Sequence, residues 1–124
     1  MAKQILIVED DVAISNLYKK ELEKKDYTVI IANSGGEGLK MAEAEKPDLI
    51  LLDIMMPAID GFTVIRTLKE KKATAKIPII ILTNLGTSKI FIEEAKRLGV
   101  EHYLMKYKTS LKDVIEAVEK VLAS

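Results

Sequence analysis

The chain has no cysteine and only one histidine, His102. The lack of cysteine excludes disulfide bonds, thiolate metal sites and cysteine nucleophiles. His102 has no companion residue with which it would form a metal site, so we interpret it as a surface residue without a catalytic role.

The chain also lacks a net charge and a long apolar run. It has 19 Lys plus Arg and 19 Asp plus Glu, so no overall field attracts it to nucleic acid or to an anionic membrane. No apolar stretch approaches the length of a transmembrane helix, and Met1–Gln4 leads directly into an apolar run rather than a signal peptide. We therefore expect a cytoplasmic protein that binds neither nucleic acid nor a membrane directly.

The composition is that of an ordinary globular protein. Apolar residues make up 48% of the chain and charged residues 31%, which is not typical of a disordered chain. A length of 124 residues corresponds to one domain and is enough to bury a sizeable core. We predict a single domain over residues 1–124.

The most informative stretch is Leu49–Leu52, four apolar residues followed by Asp53. An unbroken apolar run fits a strand buried on both faces of a parallel sheet. This run and four similar ones predict five strands, over Ile5–Val8, Tyr27–Ala32, Asp48–Asp53, Ile77–Leu82 and Val100–Met105. Helical spacing and capping residues predict helices over Val12–Lys25, from a Ser34-x-x-Glu37 capping box through Glu45, around Phe62–Leu68, from about Ser88 to Gly99, and from Ser110 through Leu122.

Five strands in strict alternation with five helices predict an α/β fold. The expected type is a flavodoxin-like, doubly wound (βα)5 fold with a five-stranded parallel sheet in the order 2-1-3-4-5.

The apolar residues of two predicted helices indicate which face of each helix is buried or available for contact. A stripe of Ile14, Leu17, Tyr18 and Leu22 in the first helix is predicted to face the core. Ile90 and Ile92 widen the apolar stripe of the fourth helix, which fits either a docking surface or an ordinary helix flank.

The carboxyl ends of parallel strands meet at one edge of the sheet, where open α/β sheets bind their ligands. The side chains that follow the predicted strands are Glu9 and Asp10, Asn33, Asp53, Thr83 and Lys106. Each of them separately is also typical of a turn, a helix cap or a solvated surface. Together they bring three carboxylates, a hydroxyl and an ammonium to one edge.

Crowded carboxylates repel one another unless a cation compensates them. Mg²⁺ accepts one or two carboxylates, a carbonyl and several waters. Asp10 and Asp53 are therefore the predicted direct ligands, with Glu9 nearby and the backbone carbonyl of Met55 as a further ligand.

Mg²⁺ beside a carboxylate favours phosphoryl chemistry. The Asp53 carboxylate can itself be the nucleophile, which gives an aspartyl phosphate. Lys106 would then neutralise one phosphoryl oxygen, and the Thr83 hydroxyl would donate a hydrogen bond to another.

From Lys3 to Leu122 the sequence resembles the receiver domain of two-component response regulators. The stretches that carry the resemblance are Ile5–Asp11, Leu51–Pro57 with Asp60-Gly61, Ile81–Thr83 and Tyr103–Lys106. The resemblance implies that a histidine kinase or a histidine phosphotransfer protein phosphorylates Asp53. The ligands that it implies for Mg²⁺ are Glu9, Asp10, Asp53 and the Met55 carbonyl.

The resemblance also implies how the signal leaves the site. Thr83 is the implied switch hydroxyl, Lys106 the cation that contacts the phosphoryl group, and Tyr103 the aromatic side chain that changes rotamer. The face formed by the fourth helix, fifth strand and fifth helix would then bind a downstream protein target. The chain is accordingly expected to be a phosphoacceptor signalling domain and not an enzyme, acting as a monomer or a phosphorylation-dependent dimer.

The sequence departs from the family pattern in three places. Tyr107 stands where a proline usually follows the lysine, and a cis bond before a non-proline residue costs about 3–4 kcal/mol. We therefore predict either a trans or a strained Lys106–Tyr107 bond. Asn84 follows the switch threonine in place of a small residue, and Ala58-Ile59 replaces a more usual Gly-Met pair.

Several rival functions share parts of this pattern. A flavodoxin would have the same sheet, but the acidic Glu9–Asp11 segment would repel the phosphate of a flavin. A haloacid-dehalogenase-like phosphatase would have a second Asp two residues after the nucleophile, where this chain has Met55. The remaining alternatives are a receiver-shaped scaffold or dimerisation module with little or no phosphorylation, and the receiver half of a DNA-binding regulator.

Overall fold

The computed structural model describes residues 2–54, 60–83, 89–100, 102–105 and 109–123, with backbone alone for residues 83, 89 and 90. The described residues form five strands that alternate with five helices. In chain order these are β1 (Gln4–Val8), α1 (Val12–Glu23), β2 (Thr28–Ala32), α2 (Gly35–Glu45), β3 (Leu49–Leu52), α3 (Gly61–Glu70), β4 (Ile79–Thr83), α4 (Lys89–Arg97), β5 (His102–Met105) and α5 (Leu111–Ala123).

The strands pair in parallel in the order β2-β1-β3-β4-β5, which confirms the predicted topology. The three central strands are apolar because both of their faces are covered by helices. In the register of β1 with β3, Val8 lies opposite Leu52. The residues that follow these two strands are therefore neighbours at the carboxyl edge of the sheet.

Alternate residues of each strand enter two separate cores, as the period of two requires. Leu6 and Val8 of β1 pack with residues of α2, α3 and α4 on one face. Ile5 and Ile7 pack with residues of α1 and α5 on the other face. The sheet is thus a central layer between a three-helix layer and a two-helix layer.

Polar caps begin the helices where the sequence predicts them. The Ser34 hydroxyl accepts a hydrogen bond from the Glu37 amide at 3.1 Å, at the start of α2. At the start of α5, the Ser110 hydroxyl accepts from the Asp113 amide at 3.1 Å, and the Asp113 carboxylate accepts from the Ser110 amide at 3.2 Å. This reciprocal pair satisfies amides that have no partner within a helix.

The end of α4 corrects one predicted boundary. Gly99 has φ +85, and its amide donates to Lys96 while the Val100 amide donates to Ala95 at 2.8 Å. These two bonds form a Schellman motif, which glycine favours because it has no Cβ to clash at positive φ. Val100 therefore belongs to the end of the helix, and the strand predicted from Val100 begins at His102 instead.

The predicted apolar stripe of α1 is wrong at one position. Leu17 is 50% exposed, whereas Ser15 is 1% exposed. Ser15 lies on the same face as Tyr18 and Leu22, which are three and seven residues further along the helix. The small Ser15 side chain is accommodated there because its hydroxyl donates to the Val12 carbonyl at 3.1 Å.

The connection between α3 and β4 has its own buried anchor. Thr74 is 1% exposed, and its hydroxyl donates to the Leu68 carbonyl in the last turn of α3 at 2.7 Å. This bond satisfies a carbonyl that the helix leaves without an internal partner.

Among the described residues, no helix combines the length and the apolar character needed to cross a bilayer.

Candidate functional site

The candidate site lies where the two central strands β1 and β3 end. Glu9 follows β1 and Asp53 follows β3, and the Asp53 amide donates to the Val8 carbonyl at 3.0 Å. Both side chains are buried, with 3% of Glu9 and 5% of Asp53 exposed. Asp10, next along the chain, is exposed. The sheet thus presents two buried carboxylates and one solvent-facing carboxylate at the same edge.

Backbone and side-chain hydrogen bonds fix the position of Glu9. Its amide donates to the Ala32 carbonyl at 3.0 Å, and its carbonyl accepts from Asn33 Nδ2 at 2.9 Å. The Asp11 amide donates to Glu9 Oε2 at 3.2 Å. The end of β2 therefore helps to hold the Glu9 backbone, through an Asn33 contact that the sequence alone does not reveal.

The three carboxylates form one cluster. Glu9, Asp10 and Asp53 each offer an oxygen, and these oxygens lie within 4.8 Å of one another. Charged carboxylates at this spacing repel one another, and burial of two of them adds a desolvation cost. Carboxylate oxygens are the ligands that hard divalent cations prefer. The cluster can therefore hold a metal ion, which would offset the repulsion.

The floor beneath the cluster is apolar. A cavity of about 10 Å³, room for about one water molecule, is lined by Glu9 and Asp53 together with Ile7, Val8, Tyr18, Leu51, Leu52 and Leu82. Glu9 and Asp53 thus border a small cavity whose other lining residues are almost all apolar.

Gly61 brings α3 against the end of β3. A Cβ at this position would lie 2.5 Å from Ile54 Cα and 3.0 Å from the Asp53 carbonyl oxygen. The Gly61 amide also donates to the Ile54 carbonyl at 2.9 Å. Asp60, the N-cap of α3, accepts from the Thr63 amide at 3.0 Å. Glycine is needed here because of close backbone approach and not because of its φ.

We expect Gly61→Ala to lower the free energy of unfolding by about 3 kcal/mol, because overpacking against backbone atoms cannot be relieved by a side-chain rotation. Urea unfolding measures the change. Gly38→Ala is the comparison, since the nearest atoms to its added Cβ are Val8 side-chain carbons at 2.9 and 3.0 Å. Side-chain atoms of Val8, and not backbone atoms, are nearest to the added Cβ, so we expect a smaller loss of about 1 kcal/mol there. Equal losses in the two variants would contradict the rigid contact of α3 with β3.

The other predicted site residues are described in part. Thr83 ends β4, where it lies opposite Met105 of β5, and its side chain is outside the described residues. Tyr103 of β5 is half-buried and packs against the core on the α2–α4 face. Met55, Lys106 and the departures at Ala58-Ile59, Asn84 and Tyr107 lie outside the described residues, as does the Lys106–Tyr107 bond. His102 is exposed, as the sequence predicts.

Comparison with known proteins agrees with this geometry. The family model for the response regulator receiver domain matches residues 5–119. The chain belongs to this family. Receiver domains are signalling domains that interact with histidine kinases and downstream effectors, and the predicted family and fold are both confirmed.

Individual receiver proteins show the extent of the likeness. The chain is 47% identical over 83 residues to the alkaline phosphatase synthesis transcriptional regulatory protein PhoP of Bacillus subtilis, covering 67% of this chain and 34% of PhoP. It is 40% identical over 107 residues to protein PilH of Pseudomonas aeruginosa, covering 83% of this chain and 84% of PilH. The structure of chemotaxis protein CheY4 from Vibrio cholerae is similar with a TM-score of 0.90, 26% identity and coverage of 98% of this chain and 99% of CheY4. The chain thus spans about a third of the length of PhoP and most of the length of PilH.

Proposed function

We propose that this receiver domain, over residues 1–124, accepts a phosphoryl group on Asp53 from a phosphohistidine of a histidine kinase or a histidine phosphotransfer protein. The observation that carries the proposal is the cluster of Glu9, Asp10 and Asp53, with ligand oxygens within 4.8 Å of one another. An Asp53 oxygen forms a bond to phosphorus while the bond from phosphorus to the imidazole nitrogen breaks, and the imidazole leaves. Later attack of water on the phosphorus releases inorganic phosphate and restores the carboxylate.

The proposed metal is Mg²⁺, held by the three carboxylates and the Met55 backbone carbonyl. When bound, it neutralises charge on the phosphoryl oxygens. Asp53 is buried. A hydrogen bond from its backbone amide to the Val8 carbonyl of β1 holds it in place. Asp10 is exposed, so its carboxylate would be open to an ion that arrives from solvent.

The proposed switch uses the two strands beyond β3. The phosphoryl group carries roughly −1.5 to −2 charge at pH 7, in place of the single negative charge of the Asp53 carboxylate, and it attracts the Lys106 ammonium and the Thr83 hydroxyl. Movement of Thr83 at the end of β4 gives room to Tyr103 on the adjacent strand β5. The α4-β5-α5 face then changes and binds a downstream protein target, either as a monomer or as a phosphorylation-dependent dimer.

A second candidate is the same chemistry in the receiver part of a larger transcriptional regulator. It is favoured by the 47% identity to PhoP, which is named as a transcriptional regulatory protein and of which this chain covers 34%.

Incubation with acetyl phosphate tests the phosphorylation. With Mg²⁺ present, we expect the intact mass to rise by one phosphoryl group, and with EDTA in place of Mg²⁺ we expect no rise. A folded chain that gains no mass with Mg²⁺ would contradict the proposal and favour a receiver-shaped scaffold or dimerisation module.

A further inference from the structure

Helices α3 and α4 are joined by two side-chain contacts, which we call the α3–α4 clasp. The rings of Phe62 and Phe91 are stacked, with centroids 5.9 Å apart and planes inclined by 10°. Arg66 Nη1 of α3 lies 3.6 Å from Glu94 Oε1 of α4. Glu94 also pairs with Arg97 within α4. An aromatic contact and an ion pair thus act side by side between the same two helices.

The clasp continues toward the candidate site along the surface of α3. Arg66 Nη2 donates to Thr63 Oγ1 at 3.2 Å, and Thr63 Oγ1 donates to Asp60 Oδ2 at 3.2 Å. Asp60 caps α3 immediately before Gly61, whose backbone lies against Ile54 and the Asp53 carbonyl. A continuous series of polar contacts therefore leads from the first turn of α3, beside Asp53, to Glu94 on α4.

The position of α4 matters because this helix follows the strand that ends in Thr83 and forms part of the proposed output face. We propose that the α3–α4 clasp is a latch that holds α4 in its unphosphorylated position and that opens when α4 shifts after phosphorylation. The proposal rests on the proposed function, since it assumes that Asp53 is phosphorylated. A contact made in one of two conformations biases the equilibrium between them by its own free energy.

Hydrogen exchange of α4 amides tests the latch in the unphosphorylated protein. Arg66→Met removes the interhelical ion pair, and we expect exchange in α4 to rise about two- to fivefold, as for an exposed pair. Phe62→Leu removes the ring stack, and we expect a rise of about two- to tenfold. In a Glu94→Gln background, Arg66→Met should have no further effect, because its partner charge is already absent.

Lys71→Met is the matched control. Lys71 Nζ pairs with Glu43 Oε2 at 2.9 Å, with 47% and 52% of the two side chains exposed. This pair also joins two elements at the surface, but it involves α2 and the end of α3 and not α4. We expect exchange in α4 to be unchanged in Lys71→Met. If Arg66→Met and Phe62→Leu leave α4 exchange at the level of this control, the latch is wrong.

The rate of phosphorylation by acetyl phosphate with Mg²⁺ is the second measurement. We expect Arg66→Met and Phe62→Leu to react faster than the unmodified chain by the same factors as their exchange rises, because a larger fraction of the molecules has α4 released. Faster exchange without faster phosphorylation would overturn the latch and leave the clasp a purely structural contact. If the unmodified chain gains no phosphate at all, the proposed function fails and the latch fails with it. The two failures are therefore distinguishable.

Discussion

Asp53→Asn is expected to gain no phosphate from acetyl phosphate and Mg²⁺, whereas the unmodified chain gains one phosphoryl group. The substitution keeps the size and shape of the side chain, which is 5% exposed at the end of β3. It replaces a carboxylate oxygen by an amide nitrogen and removes the negative charge that makes this group a nucleophile. Intact-mass spectrometry of the two proteins under identical conditions measures the difference.

The matched control for this prediction is Asp60→Asn. Asp60 is an exposed carboxylate seven positions further on, and its two oxygens accept hydrogen bonds from the Thr63 amide and the Thr63 hydroxyl. Asparagine caps helices about as well as aspartate, so this variant should gain phosphate like the unmodified chain. Phosphate uptake by Asp53→Asn at the unmodified level would mean that another group is the acceptor.

Asp10→Asn is expected to weaken Mg²⁺ binding by at least about tenfold. Loss even of groups that only support a metal ligand costs 10- to 100-fold in affinity, and Asp10 is one of three carboxylates within 4.8 Å. Calorimetric titration of the metal-free protein with Mg²⁺ measures the affinity. Unfolding in urea gives a second readout, because at 100 times the dissociation constant Mg²⁺ should stabilise the unmodified chain by about 2.7 kcal/mol.

Asp11→Asn controls for the loss of one negative charge near the site. The Asp11 carboxylate caps α1 by accepting from the Ile14 amide at 3.1 Å, and asparagine can replace it in that role. Asp11 is not part of the carboxylate cluster. The affinity of the Asp11→Asn protein for Mg²⁺ should therefore differ from that of the unmodified chain by less than about threefold, because the lost charge is screened. Equal losses of affinity in Asp10→Asn and Asp11→Asn would indicate a general charge effect and no direct ligand role.

Much of the fold could be predicted because its signals are local. The apolar run of Leu49–Leu52 is buried on both faces of the sheet, and such a run requires helices on both sides. The capping residues Ser34 and Ser110 begin their helices because a side-chain oxygen must satisfy amides within the first turn. The carboxylate cluster could be predicted as well, since parallel strands bring Glu9 and Asp53 to one edge whatever the details of the helices.

Features that depend on how two elements meet could not be predicted in the same way. Helical spacing alone does not reveal that Ser15, rather than Leu17, faces the core, because both lie close to the boundary of the apolar stripe. The close approach at Gly61 depends on the angle at which α3 meets β3. Phe62 and Phe91 each fit the apolar stripe of a helix, but their stacking follows from the packing of α3 on α4.

Locating the phosphoryl group tests directly whether Asp53 is the phosphoacceptor. The chain is treated with acetyl phosphate and Mg²⁺, the acyl phosphate is reduced with borohydride, and the modified residue is identified by tandem mass spectrometry of the resulting peptides. We expect reduction at Asp53, and no reduction at Glu9, at Asp10 or in a sample prepared with EDTA. Reduction at any residue other than Asp53, or an equal yield without Mg²⁺, would contradict this assignment.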